Sequence, residues 1–149
     1  MTGLLLLAYS LPLLAFMFSM GCCCGGCTNR CTGDNPASWQ VVVTGTGGLY
    51  DGTYIIDTAI DPVSGGTCCA WEAYLGLGGC IEYGRVYTCS DQIAFLLSDT
   101  QLFETGNYVK WFRLITAPYD CTAAINANIQ TLQNGCAGAF GSNAAITGL

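Results

Sequence analysis

The sequence predicts an all-β fold: an antiparallel β-sandwich of about seven or eight strands, stapled by disulfides and preceded by an N-terminal hydrophobic helix. Three observations predict it. Short apolar segments alternate with polar residues at a period of two and are separated by Gly-, Asp- and Pro-containing breaks. Eleven cysteines occur in 149 residues, a density that belongs to disulfide frameworks in oxidising compartments. The run Leu4–Met20 is almost wholly apolar and is followed at once by five of those cysteines, Cys22, Cys23, Cys24, Cys27 and Cys31.

Three segments follow: residues 1–21 as the hydrophobic segment, 22–35 as a Cys-rich linker, and 36–149 as the β-sandwich domain. As a helix, Leu4–Met20 would span about 26 Å, just short of a hydrocarbon core, and Pro12 would kink it. Three readings stay open for this segment. It is a cleaved export signal, a lipoprotein signal with Cys22 as the acylated residue behind Gly21, or a retained helix that anchors or assembles the protein.

Within the domain, Gly33–Ala37 reads as a turn or linker. Trp39, Val41 and Val43 alternate with Gln40, Val42 and Thr44 as a first strand. Asp51-Gly52 marks a turn before Thr53–Thr58, and Asp61–Gly66 reads as a loop. Cys69, Trp71, Ala73 and Leu75 share one face of a third strand, and Cys80–Cys89 is its hairpin partner. Ile93–Ser98 and Tyr108–Thr116 are two more strands. Cys121–Leu132 holds no clean helical period and is read as a strand, and Asn143–Gly148 as the closing one. The succession W-x-V-x-V-x-G from Trp39, D-G-T-Y from Asp51, C-x-W from Cys69, Asp120-Cys121 and a late cysteine resembles small cysteine-rich β-sandwich proteins of planctomycete, phage and metagenomic sequences. The resemblance covers residues 36–149. It implies an extracellular sandwich and brings no catalytic residue with it.

Composition narrows the function. Only 9 % of residues are charged, the net charge is −6, and Arg30, Arg85, Lys110 and Arg113 are the whole basic complement, too few to neutralise nucleic-acid phosphates. The absence of histidine removes Ser-His-Asp and Cys-His catalysis and His-ligated zinc. No phosphate-cradling glycine motif follows a strand. Lys110 alternates with Val109 and Trp111 and is read as a solvated strand position.

Cys24-x-x-Cys27 and Cys27-x-x-x-Cys31 have ligand-like spacing, but no second C-x-x-C completes a zinc site. The adjacent pair Cys68-Cys69 points to opposite faces of a strand and so bonds to different partners. All eleven cysteines, with Cys80, Cys89, Cys121 and Cys136 completing the set, are therefore disulfide candidates. The odd number leaves one thiol over, and Cys22 is the candidate for lipid. Most aspartates read as turn formers. Asp57 and Asp61 are the candidates for calcium, and as an acid–base pair the remoter alternative. Trp39 and Trp71 read as core; Tyr83 and Tyr87, on a charged hairpin, are the aromatics placed to meet sugars or a partner.

The expectation is a non-enzymatic extracellular or cell-surface protein without a cofactor: a self-assembling subunit of a surface layer or filamentous appendage. Its partners are copies of itself and, through residues 4–20, a membrane. The alternative is a tethered lectin-like or adhesive module that binds glycans.

Overall fold

The computed structural model describes residues 27–63, 68–101, 103, 105–133, 136 and 141–149. Among these residues the chain forms β1 (Trp39–Thr44), β2 (Gly52–Ile56), β3 (Thr58–Val63), β4 (Cys68–Tyr74), β5 (Tyr83–Cys89), β6 (Gln92–Ser98), β7 (Tyr108–Leu114), β8 (Ile125–Gln133) and β9 (Asn143–Gly148), with one 3₁₀ turn at Gly79–Ile81 and no α-helix. Every pairing is antiparallel, and the strands make one sheet in the order β2-β1-β9-β8-β7-β6-β5-β4-β3. From β3 to β9 the chain meanders strand by neighbouring strand; only the β1–β9 ladder joins distant parts of the sequence.

The all-β antiparallel expectation holds, but the sandwich does not: the strands belong to a single sheet rolled almost into a barrel. One face of the roll is apolar except for the buried Thr88 of β5 and, at the end of β7, Arg113. Trp39, Val41 and Val43 of β1, Ile93, Phe95 and Leu97 of β6, and Val109 and Trp111 of β7 are all essentially inaccessible to solvent and fall in one continuous cluster. Trp39 lies second from one end of the strand order and Trp71 second from the other, yet their rings meet edge to face at 5.3 Å. Only curling brings those two positions together. The Trp111 ring stacks on Phe95 at 5.6 Å, and its indole N–H donates to Ser142 Oγ at 2.8 Å, which satisfies its polar atom, whereas the equally buried Trp39 indole N–H meets no acceptor among the described residues.

The roll is drawn together by the chain itself. Strands β2 and β3 are the two margins of the sheet, and Asp57 alone separates them. Residues 52–63 thus behave as one bent strand whose first half pairs with β1 and whose second half pairs with β4. No ladder joins β2 to β4 or β5. Contact is made instead by side chains: a Cβ on Gly84 of β5 would lie 2.6 Å from Ile56 Cδ1 and 3.1 Å from Leu75 Cδ1, so the missing side chain there makes room for Ile56.

Eight of the strands agree with the segments read from the sequence, and β3 is the addition. Its stretch Thr58–Val63 overlaps what reads as the loop Asp61–Gly66, because Asp and Pro signal turns. Pro62 is tolerated since β3 is a margin, and the register shifts between Ile60 and Val63. The strand expected from Cys80 starts only at Tyr83. Ahead of it Gly76, Gly78 and Gly79 adopt positive φ, and Leu75 N–H and Gly76 N–H both donate to Glu82 O.

Four disulfides join Cys27 to Cys69, Cys31 to Cys121, Cys68 to Cys89 and Cys80 to Cys136. Cys68 and Cys69 do bond to different partners. Residues 27–32, expected as linker, are tied to the domain by two of these bridges and by backbone pairing of Thr32 N–H with Tyr119 O at 2.9 Å and Tyr119 N–H with Arg30 O at 3.1 Å. Cys22, Cys23, Cys24 and the whole hydrophobic segment 1–21, including the expected helix, lie outside the described residues. Four bridges in one small domain are the pattern of proteins that fold in oxidising environments.

Two outcomes test the fold. The Cys31–Cys121 bridge spans 90 residues of sequence; the double variant Cys31→Ser/Cys121→Ser should lose about 2–5 kcal/mol in urea unfolding. Tyr119 is buried, and loss of hydration holds its phenol pKa well above the ordinary tyrosine value. A raised folded pKa favours the protonated form in the native state, so this contribution is complete below about pH 10 and is lost as pH climbs beyond it. Melting temperatures should therefore fall on the alkaline side, less steeply in Tyr119→Phe.

Candidate functional site

Register decides what the convex face of the roll presents. The ladders place Glu72, Arg85, Leu96 and Lys110 in one row across β4 to β7. On one side of it runs Tyr74, Tyr83, Ser98 and Tyr108, and on the other Ala70, Tyr87, Ala94 and Phe112. Period-two alternation thus turns five aromatic rings outward, one on β4, two on β5 and two on β7, around Ala94, Leu96 and Ser98 of β6. Phe103, from the β6–β7 connection, packs over Ala94 and Leu96, with Tyr83, Tyr87, Tyr108 and Phe112 half-buried around it.

Arg85 and Glu72 fix that arrangement. Their side chains are 9 % exposed each, and Arg85 Nε donates to Glu72 Oε2 at 3.0 Å, with Nη2 on the same oxygen. Arg85 Nη1 donates to the Tyr87 hydroxyl at 2.9 Å and Nη2 to Gln101 O at 3.2 Å, and the guanidinium lies 4.1 Å from the centre of the Phe103 ring. Gln101 Nε2 closes the network on Glu72 Oε1 at 2.8 Å. A charge pair buried this completely is held by satisfying nearly every donor, and here it fastens the β6–β7 connection to the sheet.

Beside this network is a groove of about 330 Å³, toward the small end of ligand sites. One wall is the bent strand, with Ile55, Asp57, Thr58 and Ile60. The other is β4 and β5, with Tyr74 and Tyr83, and Glu72 and Gln101 lie at its base. The groove exists because β2 and β4 approach without pairing. Tyr74 and Tyr83 are cross-strand partners whose rings sit 5.3 Å apart, and Tyr74 is 68 % exposed. A hydrogen bond to the Glu82 carboxylate, reinforced by its charge, raises the Tyr74 pKa. Asp57 accepts from Thr58 Oγ1 at 3.2 Å.

The aspartates read as turn formers act as such. Asp51 accepts Thr46 N–H at 2.9 Å and Thr46 Oγ1 at 2.6 Å, and Asp99 accepts Asn107 N–H at 2.9 Å. The two calcium candidates part company: Asp57 lines the groove, whereas Asp61 is exposed on β3 and does not. Among the described residues no three Asp, Glu, Cys or His side chains gather. Cys27 and Cys31, the described members of the ligand-like spacing, are each in a disulfide. Lys110 is half-buried rather than fully solvated, its ammonium 5.4 Å from the centre of the Phe112 ring, and burial lowers its pKa. Tyr83 and Tyr87 lie on the outer face but are half-buried, and the Tyr87 hydroxyl is taken by Arg85. Ile55, Ile60 and Gln101 were not legible as site residues, because no sequence pattern says that a margin strand bends toward β4.

Comparison with family models, with curated proteins and with solved structures finds no match to this chain.

Replacing Glu72 by Leu leaves a buried guanidinium without its carboxylate and should cost about 3–5 kcal/mol in urea unfolding. The double variant Glu72→Leu/Arg85→Met should regain most of that loss.

Proposed function

We propose that the protein is a non-enzymatic structural subunit of the cell exterior, self-assembling into a surface layer or filamentous appendage. Its partners are copies of itself, and residues 4–20 supply the anchor or a further assembly contact. The described site supports a binding role: it gathers aromatic rings, an amide and carboxylates, with neither an activated nucleophile nor an acid–base pair among them.

One observation carries the assembly reading, the contrast between the two margins. A free strand edge is a template for another chain, and proteins guard such edges with charge, proline or a bulge. The β3 margin is guarded by Asp61, by Pro62 and by its register shift. The β2 margin, Gly52-Thr53-Tyr54-Ile55-Ile56, carries no charge and no proline, and Ile55 is 44 % exposed on it. An edge of this composition suits strand addition between copies. Sparse surface charge removes the repulsion that would oppose it.

Light scattering across a concentration series of the full chain tests this. The wild type should form oligomers that grow with concentration, and Ile55→Lys, which places a charge on the unguarded margin, should hold the protein monomeric with its disulfides intact. A wild-type protein that stays monomeric at every concentration, or an Ile55→Lys variant that assembles equally well, would overturn the proposal.

A further inference from the structure

We propose that the groove between the bent strand and the β4–β5 hairpin is a binding site for neutral saccharide chains. This goes beyond assembly and does not depend on it, since the residues that carry it lie mainly on the opposite wall from the β2 margin.

A sugar ring presents an apolar face of C–H groups and a rim of hydroxyls that both donate and accept. A site for it needs an aromatic surface beside polar groups of both kinds. The groove supplies both. Tyr74, exposed, and Tyr83, half-buried, form a two-ring wall on adjacent strands. Facing them are the Asp57 carboxylate, which accepts, the Thr58 hydroxyl, and the Gln101 amide. Glu72 is held by Arg85 and by Gln101 Nε2, which sets the orientation of the Gln101 side-chain oxygen Oε1 as an acceptor. Preorganised polar groups of this kind lose little freedom when a ligand arrives.

Charge selects among glycans. Asp57 is in the groove and Glu82 is bonded to Tyr74 at its rim, whereas the only cation nearby, Arg85, is consumed by Glu72. Uronic or sulfated polymers would meet uncompensated carboxylates. A volume of about 330 Å³ suits a small ligand segment rather than an extended peptide with side chains on both faces. That ranks the saccharide above a strand from a second copy as occupant.

The test uses the full chain with its disulfides intact, in affinity electrophoresis through gels containing soluble neutral polysaccharides (a glucan, a mannan and a glycol-chitin) and through alginate as the anionic comparison. At least one neutral polymer should retard the protein more than alginate does. For that polymer Tyr74→Ala should weaken binding about tenfold, the loss of one aromatic contact, at an unchanged melting temperature. Tyr83→Ala should weaken it as much, with a lower melting temperature because its ring is half-buried beside Phe103. Tyr74→Phe should keep the binding, and Leu49→Ser in the β1–β2 connection should not alter it. Retardation by no neutral polymer, stronger retardation by alginate, or indifference to both tyrosine variants would each overturn the proposal. Loss of oligomers in Tyr74→Ala without glycan binding would also overturn it and assign the groove to a second copy.

Discussion

A sheet with one predominantly apolar face has to cover that face, and here the sheet covers it with itself. Among the described residues no helix lies against the Trp39–Trp111 side, and no second sheet faces it. Rolling is the remaining solution, and it works because right-handed twist already curls a many-stranded antiparallel sheet toward closure. The contact between Trp39 and Trp71 is where the curl meets itself. Burial of side chains as large as Trp39, Trp111 and Phe95 stabilises by about 1.5–3 kcal/mol or more apiece, which in a 149-residue chain outweighs the cost of leaving part of the seam unpaired.

The manner of closure produces the surface features. A fully closed barrel would pair its last strand with its first along their whole length. In this protein the bent strand 52–63 serves both margins in turn, five residues for β1 and then six for β4. Hydrogen bonding changes partner at Asp57, so the upper part of β4 is paired with β5 on one side only, and Ile56 fills the interior side of the gap on the other. The exterior side stays open as the groove. Closure, groove and unguarded margin are therefore three consequences of one bend.

Much of this was legible in the sequence where period-two alternation is strong. Trp39–Thr44, Ile93–Ser98 and Asn143–Gly148 are strands where the pattern places them, and Cys68-Cys69 divides between faces as its adjacency requires. What was not legible is global. Alternation says that a strand has an inner and an outer face but not whether the inner faces belong to one sheet or two, so a sandwich and a roll look alike. The strand β3 was hidden by Asp61 and Pro62, which signal turns locally yet are compatible with a margin strand. At the groove, Tyr83 could be picked out as an outer-face aromatic, whereas Gln101 could not. It joins the site only because the Arg85–Glu72 pair pins the β6–β7 connection over the sheet.

That pair also governs what the surface can meet. The chain has four basic residues. Arg85 is spent inside the network with Glu72, and Lys110 is half-buried with its charge disfavoured by desolvation. Arg113 is left exposed on β7, so the outer face of a protein with net charge −6 carries even less positive charge than its composition implies. Long-range attraction between such a surface and any polyanion is absent, and at physiological ionic strength the scattered carboxylates are screened beyond about 8 Å. Recognition at this face must then come from short-range contact, from aromatic rings and unpaired strand edges that discriminate by shape. The two proposed partners, neutral sugars and another copy of the chain, both fit that short-range mode of contact.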